Sequence, residues 1–153
     1  MSVEAKLKSM GYDIAPAARG QGKIEPAVRT GNLIFTSGQV SSRGSESYIG
    51  KVGSDLTVEQ GYAAARLTAL AILASLQRAL GDLDRITAWT RVFGMVNSAP
   101  GFVRQPAVIN GFSELVIELF GPEVGAHARS AVGLFELPFS IPVEIEAEVE
   151  FSA

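Results

Sequence analysis

At 153 residues, 47% hydrophobic and 19% charged, the chain has the size of one domain with a sizeable core and is too apolar for a disordered segment. It has no cysteine and a single histidine, which excludes a disulfide framework, a thiolate nucleophile and a thiolate metal site, and leaves too few imidazoles for a zinc centre. The net charge is −3 with the basic residues scattered singly, which counts against a nucleic-acid surface, and the chain shows no signal peptide and no uncharged run of membrane-spanning length, so a soluble cytoplasmic protein without membrane contact is expected.

Residues 1–22 read as an N-terminal arm and 23–153 as one domain. Within the arm, Leu7 and Met10 sit at i, i+3 and suggest a short helical turn before a Gly, Pro and Ala-rich stretch from Ala15 to Gly22. Ala27–Arg29 and Leu33–Gln39 are extended runs separated by Thr30-Gly31-Asn32, a hairpin signal. The polar segment Val40–Gly53 reads as a loop, with Tyr48-Ile49 continuing a strand. Thr57 followed three residues later by Gln60 is a capping box, so a helix should start there and end at Gly81. Its apolar stripe runs Val58, Tyr62, Ala65, Ala69, Ile72, Leu73, Leu76, Leu80, spaced by threes and fours. Ile86–Val96 is β-branched, aromatic and apolar on both faces apart from Arg91, the pattern of a central strand. Pro106 fits the first position of a second helix, with Val108, Phe112, Leu115, Val116 and Leu119 facing inward and Gly121-Pro122 as its stop.

The stretch from His127 to Glu150 reads as two strands around a proline-marked turn. In the second, Val143, Ile145, Ala147, Val149 and Phe151 share one face and Glu144, Glu146, Glu148 and Glu150 the other, because strand side chains alternate. Carboxylates at that two-residue repeat lie about 7 Å apart and repel unless solvated or paired with cations. In the first strand Arg129 alternates with Ala131 and Gly133, small residues that leave a hollow, while Ser130, Val132 and Leu134 can face inward. An arginine over small residues with acids nearby suggests a site for a small anion. His127 could act as acid or base beside Arg129, but at a loop end it reads as merely exposed. Trp89 and Phe93 read as core or interface, and Ser37 has no histidine in motif range for a serine hydrolase.

The order strand, strand, strand, helix, strand, helix, strand, strand describes an α+β domain with helices set against a mostly antiparallel sheet. Two helices cover one face, so a homo-oligomer is expected to cover the other, with clefts between subunits as ligand sites.

These motifs, AVRTGNLIFTSGQ at 27–39, Asn110, and ARSAVGLFELPFSIPVEIEAEVE at 128–150, resemble the Rid/YjgF family of imine deaminases, also labelled endoribonuclease L-PSP-like or translation inhibitor. The resemblance implies a chorismate-mutase-like sheet with two helices on one face and a homotrimer with three intersubunit clefts. It implies that Arg129 pairs with a substrate carboxylate, that Glu144 positions or activates water, and that Ser37, Gly38 and Asn110 add backbone or hydroxyl contacts. The reaction implied is hydrolysis of a small 2-imino or enamine acid to a 2-keto acid and ammonia, with neither metal nor organic cofactor. Two positions depart from the family: Ala131 stands where a cysteine is frequent and keeps only its backbone N–H, and Ile24 stands where a tyrosine lines the cleft. Those departures leave open a non-catalytic trimer that binds small carboxylates; ribonuclease activity, suggested by the family label alone, is the third reading.

Overall fold

The computed structural model describes residues 1–16, 23–43 and 46–152; residues 17–22 of the expected arm and 44–45 of the polar segment lie outside the described residues. The elements are α1 (Val3–Ser9), β1 (Ala27–Thr30), β2 (Leu33–Thr36), β3 (Gln39–Val40), β4 (Ser42–Arg43), β5 (Glu46–Ser47), α2 (Val58–Leu80), β6 (Ile86–Asn97), α3 (Gln105–Gly125), β7 (Ala128–Leu134) and β8 (Val143–Phe151). The third expected strand is corrected: Tyr48-Ile49 is not extended into a strand, and the pairing there is a two-residue ribbon between β4 and β5, just before it.

The main sheet runs β1-β2-β8-β6-β7, with β3 also on β8 beyond the end of β2. Pairings are antiparallel except β6 with β7, which is parallel because α3 carries the chain back to the same end. The alternation read in β8 holds: Val143, Ile145, Ala147, Val149 and Phe151 are all buried, and the intervening glutamates are half-exposed. Opposite those apolar residues lie α2 and α3, whose Ile72, Leu73, Leu76, Val108, Phe112, Leu115 and Leu119 join β8 in one core.

Helix α2 begins at the capping box, with the Thr57 hydroxyl accepting from Gln60 N and the Gln60 side chain accepting from Thr57 N, and it ends at Gly81 in the left-handed region. By length and composition α2 could cross a bilayer, but its apolar stripe is spent on this core. Helices α2 and α3 cross closely at Gly111, where a Cβ would overlap the Tyr62 carbonyl oxygen. The expected stop of α3 is partly overruled. Gly121 does break it, with φ of 79°, yet Pro122 starts one more turn to Gly125, since proline fits a first helical position. Trp89 is a core residue, edge-on to Phe112 at 5.7 Å and Phe120 at 5.6 Å.

Helix α1 is fastened by more than its buried Val3 and Leu7. Val3 N donates to Asp84, Leu83 N donates to Glu4, and Lys6 Nζ donates to the Leu119 carbonyl at 2.7 Å. The second face of the sheet, carrying the glutamates with Val28, Phe35, Phe93 and Met95, has no helix packed over it among the described residues.

Candidate functional site

Residues 33–40 do not form one continuous strand. Phe35 pairs with Glu148 but Gln39 pairs with Ile145, so one extra residue is accommodated around Ser37-Gly38, a β-bulge. The bulge pulls the β2 backbone away from Ala147, and the Thr36 hydroxyl fills the gap by accepting from Ala147 N at 2.9 Å. It also brings Gly38 against Glu144: a Cβ at Gly38 would overlap the Glu144 carboxylate. Ser37 turns away from the acid, its hydroxyl donating to the Glu25 carbonyl at 2.7 Å. Ile24, just upstream, is 70% exposed.

The four glutamates of β8 resolve their repulsion unequally. Arg91 pairs with Glu148 at 3.2 Å and with Glu146 at 3.8 Å, around an open hollow of about 250 Å³ that Phe35 and Thr36 also line. Glu150 accepts from the Asn32 side chain at 2.8 Å. Glu144 has no cation within pairing distance among the described residues, and burial, followed by the charge of Glu146, holds its carboxyl above the usual range. A carboxyl held so takes up a proton more readily than a free one.

Arg129 is not beside these acids, which corrects the sidedness read for β7. In the parallel ladder Arg129 pairs with Val92, Ala131 with Gly94 and Gly133 with Val96, all on the helix-covered side, so Ser130, Val132 and Leu134 face the uncovered side with Glu144. Part of the expected hollow is filled, because the Gln105 side chain and Ser98 hydroxyl lie where a Gly133 side chain would stand. Arg129 reaches along α3: Nη1 donates to Asn110 Oδ1 and to Ser113 Oγ, both at 3.0 Å, and Nη2 reaches the Pro106 carbonyl at 3.5 Å. Burial lowers its pKa without removing the charge of a guanidinium. Arg129, Asn110 and Ala131 therefore form one group and Glu144 and Gly38 another, on opposite faces of the sheet, while the Ser37 hydroxyl is engaged by the Glu25 carbonyl.

Two functional candidates were missed or misjudged from the sequence. Ser113 lies three residues after Asn110, on the same face of α3, and His127 precedes Arg129 by two, the spacing that shares a strand face. His127 is half-buried, not merely exposed, with Nε2 at 2.9 Å from Ser113 Oγ and Nδ1 at 2.7 Å from the Gly125 carbonyl. Burial first, then the charge of Arg129, holds it below the ordinary imidazole value, against the pull of the Gly125 carbonyl. Among the described residues the cluster closest to a metal-ligand set is Glu4, Asp82 and Asp84, but each already accepts a backbone N–H in fastening α1 and its neighbouring turn.

A mixed sheet with helices on one face, a glycine bulge under an acid and an edge-strand arginine braced by a helix make up an α+β protein of the chorismate-mutase-like kind. The family model described as "YjgF/chorismate_mutase-like, putative endoribonuclease" matches residues 4–141, and the chain belongs to that family. It is 40% identical to protein TCP17 of Trypanosoma cruzi over 151 residues, which cover 98% of this chain and 94% of that one. Among solved structures it resembles Atu1372 of Agrobacterium tumefaciens, described as of unknown function, with 38% identity, a TM-score of 0.89, and 99% and 93% of the two chains covered. It also resembles a Shewanella oneidensis protein described as a "putative endoribonuclease", with 32% identity, a TM-score of 0.92, and 99% and 100% covered.

Proposed function

We propose that the chain hydrolyses small 2-imino or enamine acids to 2-keto acids and ammonia, in a homotrimer whose clefts unite the two half-sites from neighbouring copies. The observation that carries this reading is the bracing of Arg129: Asn110 and Ser113 take both hydrogens of Nη1 and leave the Nε–Nη2 edge for a carboxylate. A single copy keeps Arg129 and Glu144 on opposite faces, while the uncovered face exposes Val28 and Phe35 for burial against another copy.

In such a cleft Arg129 fixes the carboxylate of the imino acid, with the Ala131 backbone beside it. Glu144, its pKa raised, takes a proton from water as the oxygen adds to the carbon of the protonated imine and returns it to the nitrogen; it then takes the remaining hydroxyl proton as the tetrahedral adduct collapses to keto acid and ammonia, and passes that proton to water. Ser37 and Gly38 shape the floor, and Ile24 makes the entrance apolar. Neither a metal nor an organic cofactor enters the scheme.

The second reading, a carboxylate-binding trimer without turnover, is favoured by Ala131 and Ile24, which remove a thiol and a hydroxyl from the cleft. Ribonuclease activity has in its favour only the endoribonuclease wording attached to the family and to the Shewanella protein. Keto-acid release from 2-iminobutanoate generated in place separates the readings. Acceleration that vanishes in Arg129→Ala and in Glu144→Ala is the enzyme result; keto-acid binding that vanishes only in Arg129→Ala, without acceleration in wild type, is the binding result.

A further inference from the structure

Four groups on the helix-covered side form one hydrogen-bonded line whose polarity is fixed at both ends. The Gly125 carbonyl can only accept, so Nδ1 of His127 carries the proton and Nε2 is a lone pair. Ser113 must then donate to Nε2, and its oxygen accepts from Arg129, whose guanidinium can only donate. Nε of Arg129 has no partner among the described residues, and Nη2 has only the distant Pro106 carbonyl.

We propose that Ser113 and His127 are positioning residues for Arg129, presenting its Nε–Nη2 edge to a ligand carboxylate, and that filling this edge is coupled to protonation of His127. The proposal rests on the carboxylate site proposed above and deepens it. Around the imidazole are Phe112, edge-on from α3 with ring centres 6.3 Å apart, Ser113 from the same helix, the Gly125 carbonyl, and Arg129 from β7. Arg129 is the one charged group among those described that acts on it. A bound carboxylate cancels that charge, so His127 takes up a proton more readily in the occupied site. By reciprocity, protonation of His127 tightens the hold on the carboxylate. The line survives the change. A protonated Nε2 donates to Ser113, whose other lone pair still accepts from Arg129, and the serine proton turns to the helical carbonyl four residues back. Affinity is then flat above the occupied-site pKa of His127, rises by up to tenfold per unit as pH falls between the occupied and free values, and flattens again below them.

His127 is the sole histidine of the chain, so an imidazole NMR titration of the full-length protein reads it without assignment. With pyruvate as probe, the expected results are an upward shift of the His127 midpoint on saturation and proton uptake by calorimetry in two buffers of different ionisation enthalpy. His127→Gln, which can bond but not titrate, should bind pyruvate with a flat pH profile, and Ser113→Ala should bind roughly tenfold more weakly. Pyruvate binding that leaves the midpoint unmoved, or a pH slope that persists in His127→Gln, overturns the coupling. A wild type that binds no pyruvate at any pH sinks the carboxylate site itself. The ligand-free comparison then still judges the line: Arg129→Gln should raise the His127 midpoint, and an unmoved midpoint refutes it.

Discussion

Thr36 ends β2 at the bulge, and its hydroxyl is the acceptor for a backbone N–H that the bulge leaves without a carbonyl. Replacing it by valine keeps the shape and removes the acceptor. Thr36 is 8% exposed and Ala147 3%, so water does not reach the orphaned N–H without local opening. An unsatisfied buried donor costs about 1–3 kcal/mol, and the methyl that replaces the hydroxyl returns less than about 1 kcal/mol. The net loss for Thr36→Val is therefore about 1–2 kcal/mol, a fall in melting temperature of about 2–8 °C for a chain of this length. Urea unfolding should show a lower midpoint with an unchanged slope, and native-state amide exchange should show Ala147 losing protection while its strand neighbours bonded to β6 keep theirs. A loss below about 0.5 kcal/mol with Ala147 still protected would mean that this N–H finds another acceptor, and the account of the bulge would be wrong.

Glu144→Gln tests the sign of the acid's environment. Its carboxyl is held above the ordinary value, so ionisation works against the fold: the protonated form's advantage is intact below the ordinary carboxyl pKa and is lost as pH rises through the raised one. The variant should melt higher than wild type at neutral pH and match it in acid; a variant less stable at neutral pH means that the carboxylate has a favourable partner. Gly111→Ala drives a methyl into the Tyr62 carbonyl, a backbone atom that moves only if α2 and α3 separate. The loss should exceed about 2 kcal/mol despite the better helix propensity of alanine, and a variant as stable as wild type in urea would show that the crossing is loose.

What was legible in the sequence was periodicity with contrast. Strand β8 alternates apolar and acidic residues without exception, so its two faces could be read directly, and the Thr57–Gln60 box with Gly81 placed both ends of α2. Strand β7 has no such contrast: Ala131 and Gly133 on one side and Ser130 and Val132 on the other differ too little in hydrophobicity to reveal which face is covered. Its sidedness is set by the parallel register with β6, a non-local fact, and with it went the expectation that Ser130, Val132 and Leu134 face inward. The bulge was hidden for the opposite reason, since LIFTSGQ reads as unbroken strand and only the pairing partners reveal the extra residue. Ser113 went unnoticed as one small polar residue among several polar positions of α3, although its spacing from Asn110 was a usable signal.

The position of β8 bears on how the chain is made. It lies between β2 and β6, yet it follows every strand it joins in sequence. A nascent chain that has released everything up to β7 holds two sheet fragments, β1-β2 and β6-β7, each with a bare edge, and its two long helices have no β8 face to rest on. The last long strand acts as a keystone, joining both fragments and the core in one late event. Folding should accordingly be all-or-none once β8 is available, and exposed strand edges make a chain that still lacks β8 a natural client for chaperones.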